Sequence, residues 1–149
     1  MKVQVITGKH PDFISKAQRI VDIYNQDGDG FGDERLNVSR PETLHLIYVE
    51  DVEGGVITDA WRDKNGHILF HSIMFAGFPK PERQKGYLRA CIECAGFPIE
   101  TVQINSMQTY PIWKKLGFDK VGILNMTLML RCRDFDGVTW GSFTCISSD

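Results

Sequence analysis

The sequence predicts a mixed α/β fold in which helices flank one mostly antiparallel sheet. Short segments with alternating apolar side chains recur along the chain, as expected of half-buried strands. Other segments carry apolar side chains at the three- and four-residue spacing of an amphipathic helix. Three strand-like segments follow one another with only short turns between them, which favours antiparallel pairing. Since 149 residues suit one domain rather than two, we expect residues 1–149 to form a single domain.

Composition and charge argue against several classes of protein. Hydrophobic residues make up 42% of the chain and charged residues 24%, which is typical of a globular protein and not of a disordered one. The formal net charge of -2 gives no basic field for nucleic acid or an acidic membrane. No apolar run approaches the about 18 residues of a spanning helix, and residues 1–10 lack the apolar core of a secretory signal. We therefore expect a cytoplasmic protein with no membrane or nucleic-acid partner.

The first third of the chain predicts a strand, a helix and a loop. Residues 2–7 alternate as a first strand, and Pro11 is suited to the first turn of a helix. The helix ends in residues 25–34, which are rich in Gly and Asp and predict a loop. The apolar stripe of this helix consists of Phe13, Ile14, Ala17, Ile20, Val21 and Tyr24.

Three strands are predicted next, at residues 43–50, 56–62 and 67–76. The dipeptide Asn65-Gly66 predicts a two-residue hairpin turn, because both positions tolerate positive φ. A helix is predicted from Gln84, with Gly96 at its C-terminal cap. Its apolar face contains Tyr87, Leu88, Cys91, Ile92 and Ala95.

The rest of the chain predicts a strand at 99–105, a short helix at 111–116 closed by Gly117, and one or two strands at 120–131. The tail from Asp134 is expected to add an edge strand. The predicted order is therefore β-α-β-β-β-α-β-α-β-β, a mixed α/β sheet.

The cysteines allow two interpretations. Cys91 and Cys94 form a C-x-x-C pair, which is half of a zinc site if Cys132, Cys145 or a histidine completes it. The alternative is two small apolar side chains on the core face of a helix. No second closely spaced ligand pair exists in the sequence, so we favour the second interpretation and predict no metal site.

The segment 78–88 is typical of a phosphate-binding turn. It lies between a predicted central strand and a helix, where the first amides of the helix have no backbone partners. Lys80, Arg83 and Lys85 add positive charge, and Gly86 leaves room for a phosphate to approach the backbone. Basic residues at this end of a helix oppose the helix dipole, so an anionic ligand is favoured over a solvated turn.

Two short motifs lie in the second half of the chain, Arg83-Gln84-Lys85-Gly86-Tyr87 and Trp113-Lys114-Lys115-Leu116-Gly117-Phe118. The first resembles the pattern R/Q-x-x-G-x-G/A of the GNAT family of acyl-CoA-dependent N-acyltransferases, whose amides bind the pyrophosphate of CoA. The second resembles a helix ending in Y-x-K-L-G-F. A helix and a strand separate the motifs, as in the family, and the strand order before them also fits. The resemblance spans nearly the whole chain and implies a GNAT-like fold.

The sequence departs from the family at two positions. Leu88 replaces the final Gly or Ala of the first motif. The backbone of the loop can then contact the pyrophosphate only if the Leu88 side chain turns into the core. Trp113 occupies the position of the tyrosine that usually acts as general acid, and an indole has no proton to give at useful pH. Tyr110, about one helical turn earlier, is the candidate replacement.

The resemblance implies direct acetyl transfer from acetyl-CoA to a primary amine, with Tyr110 as proton donor. It places the acetyl-CoA contacts on Phe78, Arg83, Gln84, Lys85, Gly86, Tyr87, Leu88, Ser106 and Trp113. His67 and His71 are expected on one face of the central strand, and His71 is the candidate base, with a packed structural histidine as the alternative. The alternative function is a non-catalytic GNAT-like module that binds CoA or another ligand. The acceptor amine and the oligomeric state stay open.

Residues 25–33 resemble an EF-hand calcium loop at ligand positions one, three, five and nine. Leu36, however, stands at the twelfth position, where a bidentate glutamate is required, and no second helix follows. We therefore predict an acidic loop and not a calcium site. In the GNAT fold this region borders the acceptor site, so Asp27, Asp29 and Asp33 are expected to attract a cationic amine.

Overall fold

The computed structural model describes residues 1–27, 32–124, 127–133 and 144–145. The predicted order of strands and helices is confirmed, and residues 120–131 form two strands. The structure also contains three short 3-10 turns that the sequence did not predict, at Pro41–Thr43, Lys80–Glu82 and Met107–Thr109. The strands are β1 (Val3–Thr7), β2 (Leu44–Val49), β3 (Gly55–Arg62), β4 (Ile68–Gly77), β5 (Ile99–Ile104), β6 (Lys120–Leu124), β7 (Thr127–Arg131) and β8 (Thr144–Cys145). The helices are α1 (Phe13–Asp27), α2 (Tyr87–Glu93) and α3 (Tyr110–Lys115).

The strands form one sheet in the order β1-β2-β3-β4-β5-β7-β6, and β8 pairs with β3 outside this path. Every neighbouring pair is antiparallel except β4 and β5, which run parallel. The predicted mostly antiparallel sheet flanked by helices is therefore confirmed. β4 and β5 run parallel because the crossover through α2 returns the chain to the end of the sheet at which β4 begins.

Each face of the sheet is covered by a different helix. Helix α1 packs over one face, called the α1 face, which includes Leu46, Ile57 and Phe75. Helices α2 and α3 pack over the other, called the α2 face. The α2 face includes Ile47, Val56, Ile73, Cys91 and Trp113. None of the helices among the described residues has both the length and the apolar run that a bilayer span requires.

The β3–β4 hairpin closes with three loop residues, not with the two that the sequence predicts. The Asp63 amide donates to the His67 carbonyl (3.0 Å), and the Gly66 amide donates to the Asp63 carbonyl (3.0 Å). Gly66 has a φ of +84°, whereas Asn65 has no positive φ. A turn followed by one left-handed glycine is the usual three-residue hairpin. The dipeptide therefore marks the turn, but only the glycine takes the left-handed conformation.

The C-x-x-C pair is divided between core and surface. Cys91 is fully buried, and burial raises the pKa of its thiol to about 12. Cys94 lies at the C-terminal cap of α2 and is exposed. The prediction of two cysteines on the core face therefore holds for Cys91 and is wrong for Cys94. Across the described parts of the chain, no three His, Cys, Asp or Glu side chains are grouped to hold a metal ion.

Candidate functional site

The central strands β4 and β5 separate part of the way along their length. Their register runs from His71 opposite Ile99 to Ile73 opposite Val102. Beyond this point β4 continues to Gly77 and β5 to Ile104, with no further paired residues between them in the described chain. The opening between the two strand ends is called the fork. It exposes strand edges whose amide and carbonyl groups are available to a ligand.

A β-bulge at Met74 accounts for the fork. In the β3–β4 ladder Ile57 pairs with Phe75 and Thr58 pairs with Ile73, so Met74 is the extra residue. A bulge bends its strand and increases the local twist. The bend falls where β4 leaves β5, immediately after Ile73.

The segment from Phe78 to Gly86 leads from the end of β4 to α2 and forms one side of the fork. Phe78 is buried and packs against Tyr87, with ring centroids 6.3 Å apart. Gln84 and Gly86 both have positive φ, +60° and +82°. Helix α2 begins at Tyr87, with Gly86 as its N-cap, and not at Gln84 as predicted. The left-handed Gln84 cannot continue a helix, which explains the later start.

Several consecutive amides after Arg83 have no hydrogen-bond partner in the described chain. The last backbone hydrogen bonds before the helix are those from Glu82 and Arg83 to the 3-10 turn, and the next is from Ala90 to Gly86. In the described chain no hydrogen bond is made by the amides between Arg83 and Ala90, which are those of Gln84, Lys85, Gly86, Tyr87, Leu88 and Arg89. A Cβ on Gly86 would meet nothing within 4 Å, so the space beside it is open. The predicted CoA-binding residues of the first motif thus lie together, on exposed backbone.

Leu88 does not obstruct this segment. Its side chain packs against the core on the α2 face, together with Tyr87 and Ile92. The departure from the Gly or Ala of the family pattern is therefore accommodated by the core.

The side chain of Arg83 is held by the protein itself. Its Nε donates to the Phe78 carbonyl (2.8 Å), and its Nη2 donates to the Asp27 carboxylate (2.8 Å). Lys80 and Lys85 are exposed beside it. The guanidinium of Arg83 is therefore already bonded within the protein, and Lys80 and Lys85 are the exposed lysines of the segment.

Trp113 belongs to the core and not to an open site. It is 8% exposed and meets Phe118 edge-on, with ring centroids 6.1 Å apart. The Gly117 amide donates to Lys114 and the Phe118 amide donates to Trp113, with Gly117 at a φ of +102°. These bonds form a Schellman motif, whose glycine and following apolar residue explain the L-G-F sequence at the end of α3.

Tyr110 and Ser106 both have hydrogen-bond partners close to α3, Tyr110 after the helix and Ser106 before it. The Tyr110 hydroxyl donates to the Asp119 carbonyl (2.9 Å), and its ring packs against the core of the α2 face. The Ser106 hydroxyl accepts a bond from the Gln108 amide (3.3 Å) and caps the short turn before α3. The hydroxyl proton of Tyr110 therefore has a protein acceptor before any ligand is present.

His71 lies in an aromatic cluster on the α2 face. Its ring is 4.2 Å from Phe97 and 5.7 Å from His45, measured between centroids. Burial lowers the pKa of His71 to about 4, with smaller contributions from His45 and Arg62. Burial also lowers the pKa of His45, and the Nδ1 atoms of both histidines are buried without a hydrogen-bond partner. At neutral pH both imidazoles are uncharged.

The expectation that His67 and His71 share one strand face is wrong. His67 precedes β4, and its side chain is 79% exposed. A second bulge interrupts the alternation between them, because Trp61 pairs with Phe70 and Arg62 with Ile68. A strand alternates strictly only where no residue is inserted.

Two polar side chains at the start of the acidic loop are bonded to other parts of the protein. The Asn25 amide group bonds both the amide and the carbonyl of Glu34, each at 3.0 Å, and so closes the loop at its base. Asp27 ends α1 and pairs with Arg83. Asp33 is exposed, and Asp29 and Gly30 lie outside the described residues. The expected absence of a calcium site stays a prediction.

The structure adds residues that sequence reasoning missed. Asn105, directly after β5, donates to the Tyr24 hydroxyl (2.8 Å) and to the Glu34 carboxylate (3.2 Å). Met74, the bulge residue, was also missed, whereas Asp27 was expected only as part of the acidic loop and not as the partner of Arg83. The contacts of Asn105 and Asp27 join positions more than 50 residues apart, and the bulge at Met74 lies in an apolar run without clear alternation. None of the three has a local sequence signal.

No protein-family model matches this sequence, and no curated protein matches it. Among solved structures, N-acetylglutamate synthase from Neisseria gonorrhoeae, complexed with coenzyme A and N-acetyl-glutamate, is similar with a TM-score of 0.55 and 13% identity. The match covers 90% of this chain but only 36% of the synthase chain.

Two further structures match over most of both chains. A Pyrococcus horikoshii OT3 protein has a TM-score of 0.48 and 18% identity, covering 89% of this chain and 99% of its own. The NatC complex bound to Gag peptide and CoA has a TM-score of 0.47 and 10% identity, covering 88% and 96%. The likeness to the synthase, together with the sheet order and the two flanking helix layers, shows that this chain has a GNAT-like fold.

Proposed function

We propose that this chain is an acetyl-CoA-dependent N-acetyltransferase that binds the donor in the fork between β4 and β5. The observation that carries the proposal is the placement of the segment 83–88 at the fork. Among the described residues the two strand ends have no further pairing with each other, and the run of unpaired amides follows β4 in the chain, with Arg83 bonded back to Phe78 directly after β4. The pantetheine arm of CoA contains amide groups that match a strand edge, and its pyrophosphate matches a run of backbone N–H groups.

The charge around the fork supports an anionic ligand. Lys80 and Lys85 are both exposed; Lys85 lies within the run of unpaired amides, and Lys80 lies just before that run in the chain. The net charge of the whole chain is -2, so attraction of a polyanion depends on this local cluster. We propose that residues 1–149 act as a single domain, with the described strands joined in one sheet around this site.

The proposed reaction is a direct transfer. The nitrogen of a neutral amine attacks the thioester carbonyl, the C–S bond breaks, and the CoA thiolate leaves and takes up a proton. A strand amide at the fork stabilises the tetrahedral oxyanion. Tyr110 is the proposed proton donor, and its hydroxyl has to leave the Asp119 carbonyl to serve a thiolate. His71 is the proposed base, but its imidazole lies on the α2 face, across the sheet from the side of α1, and a pKa of about 4 makes it a weak base.

The proposed acceptor approaches from the side of α1. A groove of ≈ 520 Å³ lies between α1 and the segment after the acidic loop, lined in part by Gln18, Asn25, Asp33 and Glu34. Two carboxylates at its border favour a cationic amine, which must lose its proton before it attacks. The identity of the amine depends on this loop region, as specificity commonly does in such folds.

A second candidate function is supported by the side chains of α3. Trp113 is buried in the core and the Tyr110 hydroxyl is already bonded. A GNAT-like module that binds CoA without turnover fits these two observations equally well. It differs from the first candidate only in chemistry, not in the binding site.

Calorimetry with acetyl-CoA and CoA, followed by thiol release with a panel of primary amines and polyamines, separates the two candidates. Binding together with amine-dependent thiol release supports the enzyme. Binding without release across the panel supports the non-catalytic module. No heat of binding at millimolar acetyl-CoA contradicts both, because each depends on the fork as a CoA site.

A further inference from the structure

The Arg83 guanidinium connects three segments that meet beside the fork. Its Nε bonds the carbonyl of Phe78 and its Nη2 bonds the carboxylate of Asp27, both at 2.8 Å. Phe78 directly follows β4, and Asp27 is the last residue of α1. The side chains of Arg83 and Asp27 are 38% and 35% exposed. Both hydrogen bonds use directed donors of one planar group, so they fix its position as well as its charge.

The backbone that follows Arg83 depends on a fixed starting point. Gln84 takes a left-handed φ of +60°, which costs free energy for a residue with a Cβ. Gly86 takes +82°, and the amides from Gln84 to Leu88 have no partners in the described chain. Such a segment holds one conformation only if its ends are anchored. Arg83 provides the anchor at one end, and the core contacts of Leu88 provide it at the other.

Asp27 also lies at the base of the acidic loop. Just before it, Asn25 closes the loop onto Glu34, and Tyr24 receives a hydrogen bond from Asn105 after β5. The ion pair therefore connects the proposed acceptor side of the fork to the segment that is proposed to bind the pyrophosphate.

We propose that Asp27 is a positioning residue for CoA binding, which acts by holding Arg83 in place and thereby ordering the segment 84–88. The inference rests on the proposed CoA site. It assigns Arg83 a bracing role in place of direct contact between its side chain and a phosphate. It also gives the acceptor side a means of affecting donor affinity, because a change at the end of α1 alters the anchor of the donor segment.

The proposal makes a prediction opposite in sign to simple electrostatics. CoA is polyanionic, so removal of a nearby carboxylate should tighten its binding if charge alone acts. If the Arg83 guanidinium is itself a phosphate ligand, removal of the Asp27 carboxylate should also release that guanidinium for the phosphate, which again tightens CoA binding. If Asp27 instead orders the segment, Asp27→Asn weakens CoA binding. We expect the Kd for CoA to rise about fivefold to tenfold, which is ~1 to 1.4 kcal/mol.

The matched control is Glu93→Gln, which removes one carboxylate from another exposed ion pair with arginine. Glu93 pairs with Arg89 at 3.5 Å on the surface of α2, with side chains 62% and 53% exposed. This variant should leave the Kd unchanged or slightly lower. In the double variant Asp27→Asn with Arg83→Gln, the losses should not add, because both changes weaken the same contact between Asp27 and Arg83. A tighter or unchanged Kd in Asp27→Asn, or additive losses, would overturn the proposal.

A second readout needs no ligand and separates this inference from the proposed function. The amides of Glu82 and Arg83 bond the 3-10 turn, whereas the Ala90 amide bonds Gly86. In Asp27→Asn, hydrogen exchange should become faster at Glu82 and Arg83 and stay unchanged at the Cys94 amide, which bonds Ala90. If wild type fails to bind CoA, the proposed function is wrong, but faster exchange still supports the brace. Unchanged exchange at Glu82 and Arg83 contradicts the brace whether or not CoA binds.

Discussion

Ile73 and Phe75 lie two residues apart in one strand, yet their side chains pack on opposite faces of the sheet. Ile73 belongs to the core on the α2 face and Phe75 to the core on the α1 face. Strict alternation would put both on the same face. Met74 is the extra residue that reverses the phase, and it lies where β4 separates from β5. The bulge thus directs two side chains and opens the proposed ligand site with a single insertion.

Deletion of Met74 should therefore spare the fold and damage the site. Without Met74, Ile73 and Phe75 become neighbours, which by alternation keeps each on its present face, and their partners Thr58 and Ile57 stay in register. We expect cooperative unfolding to persist, with a lower melting temperature from the lost packing of Met74. The straightened strand should stay beside β5, and the affinity for CoA should fall at least tenfold in calorimetry.

The chain offers a matched control for this deletion. Leu69 is the extra residue of the other β4 bulge, at the end of the strand away from the fork. Deletion of Leu69 should lower stability in a similar way and leave CoA affinity near that of the wild type. Equal losses of affinity in both variants, or full affinity without Met74, would show that the bulge does not create the CoA site.

Gly86 allows charge and backbone conformation to be tested separately. Its φ is +82° and the space around its Cα is open, so a side chain there projects into the region proposed for the pyrophosphate. Asn tolerates left-handed φ better than most residues and has nearly the shape of Asp. Gly86→Asp should weaken CoA binding at least tenfold, or ~1.4 kcal/mol, because it places a carboxylate beside a phosphate. Gly86→Asn should weaken CoA binding much less than Gly86→Asp does.

Kd values from calorimetry at two salt concentrations check this prediction. The difference between the two variants should shrink at high salt, since repulsion between exposed charges is screened. Equal and large losses in both variants would assign the role of Gly86 to backbone conformation alone. Equal affinities close to wild type would remove the segment 83–88 from the binding site.

Much of the fold was predictable because it depends on local patterns. The α1 stripe follows from helical spacing except at Ile14, which is 56% exposed. The apolar face of α2 follows in the same way, and Cys91 and Leu88 pack as that face requires. The sequence Leu116-Gly117-Phe118 is typical of a Schellman motif, and in the structure Gly117 has the positive φ that this motif requires. In each case the signal lies within one or two helical turns of the structure that it specifies.

The fork and its brace were not predictable, for physical reasons. Residues 67–76 form a nearly continuous apolar run, so an inserted residue leaves no visible break in alternation. For the same reason, the bulge between His67 and His71 could not be predicted from the sequence. The pairing of Asp27 with Arg83 spans 56 residues, and only the packing of α1 over β4 brings them together. A pattern within a short window carries no information about such a contact.

The histidine cluster predicts a loss of stability in mild acid. The unfolded state should titrate His71 near ~6.5, whereas burial lowers its pKa in the folded state to about 4. Between these values the unfolded chain binds a proton that the folded chain does not, so the free energy of unfolding falls as pH decreases from 6.5 to 4. The lowered pKa of His45 acts in the same direction. Below pH 4, His71 should cause no further loss.

Melting temperatures measured from pH 8 to pH 4 check this prediction. The double variant His45→Leu with His71→Leu should show a flatter profile between pH 6.5 and 4 than the wild type. His67→Gln is the control, because His67 is exposed and its replacement should leave the steep profile intact. A double variant that loses stability with pH as steeply as the wild type would place the acid sensitivity elsewhere.

Tyr110→Phe separates a structural hydroxyl from a catalytic one. The hydroxyl donates to the Asp119 carbonyl, and its removal should lower stability by about 0.5 to 1.5 kcal/mol, as for an ordinary hydrogen bond. A thiolate with a thiol pKa near ~8.5 leaves without strict need of an acid, so turnover should be slow but measurable. As proton donor, Tyr110 would contribute about 10² to 10⁴ in kcat. We expect Tyr110→Phe to lower kcat within that range and to leave CoA affinity unchanged, because the ring and its core packing remain. A loss of stability with kcat unchanged would show that the hydroxyl has only a structural role, in the turn between α3 and β6. Solvent would then be the proton donor.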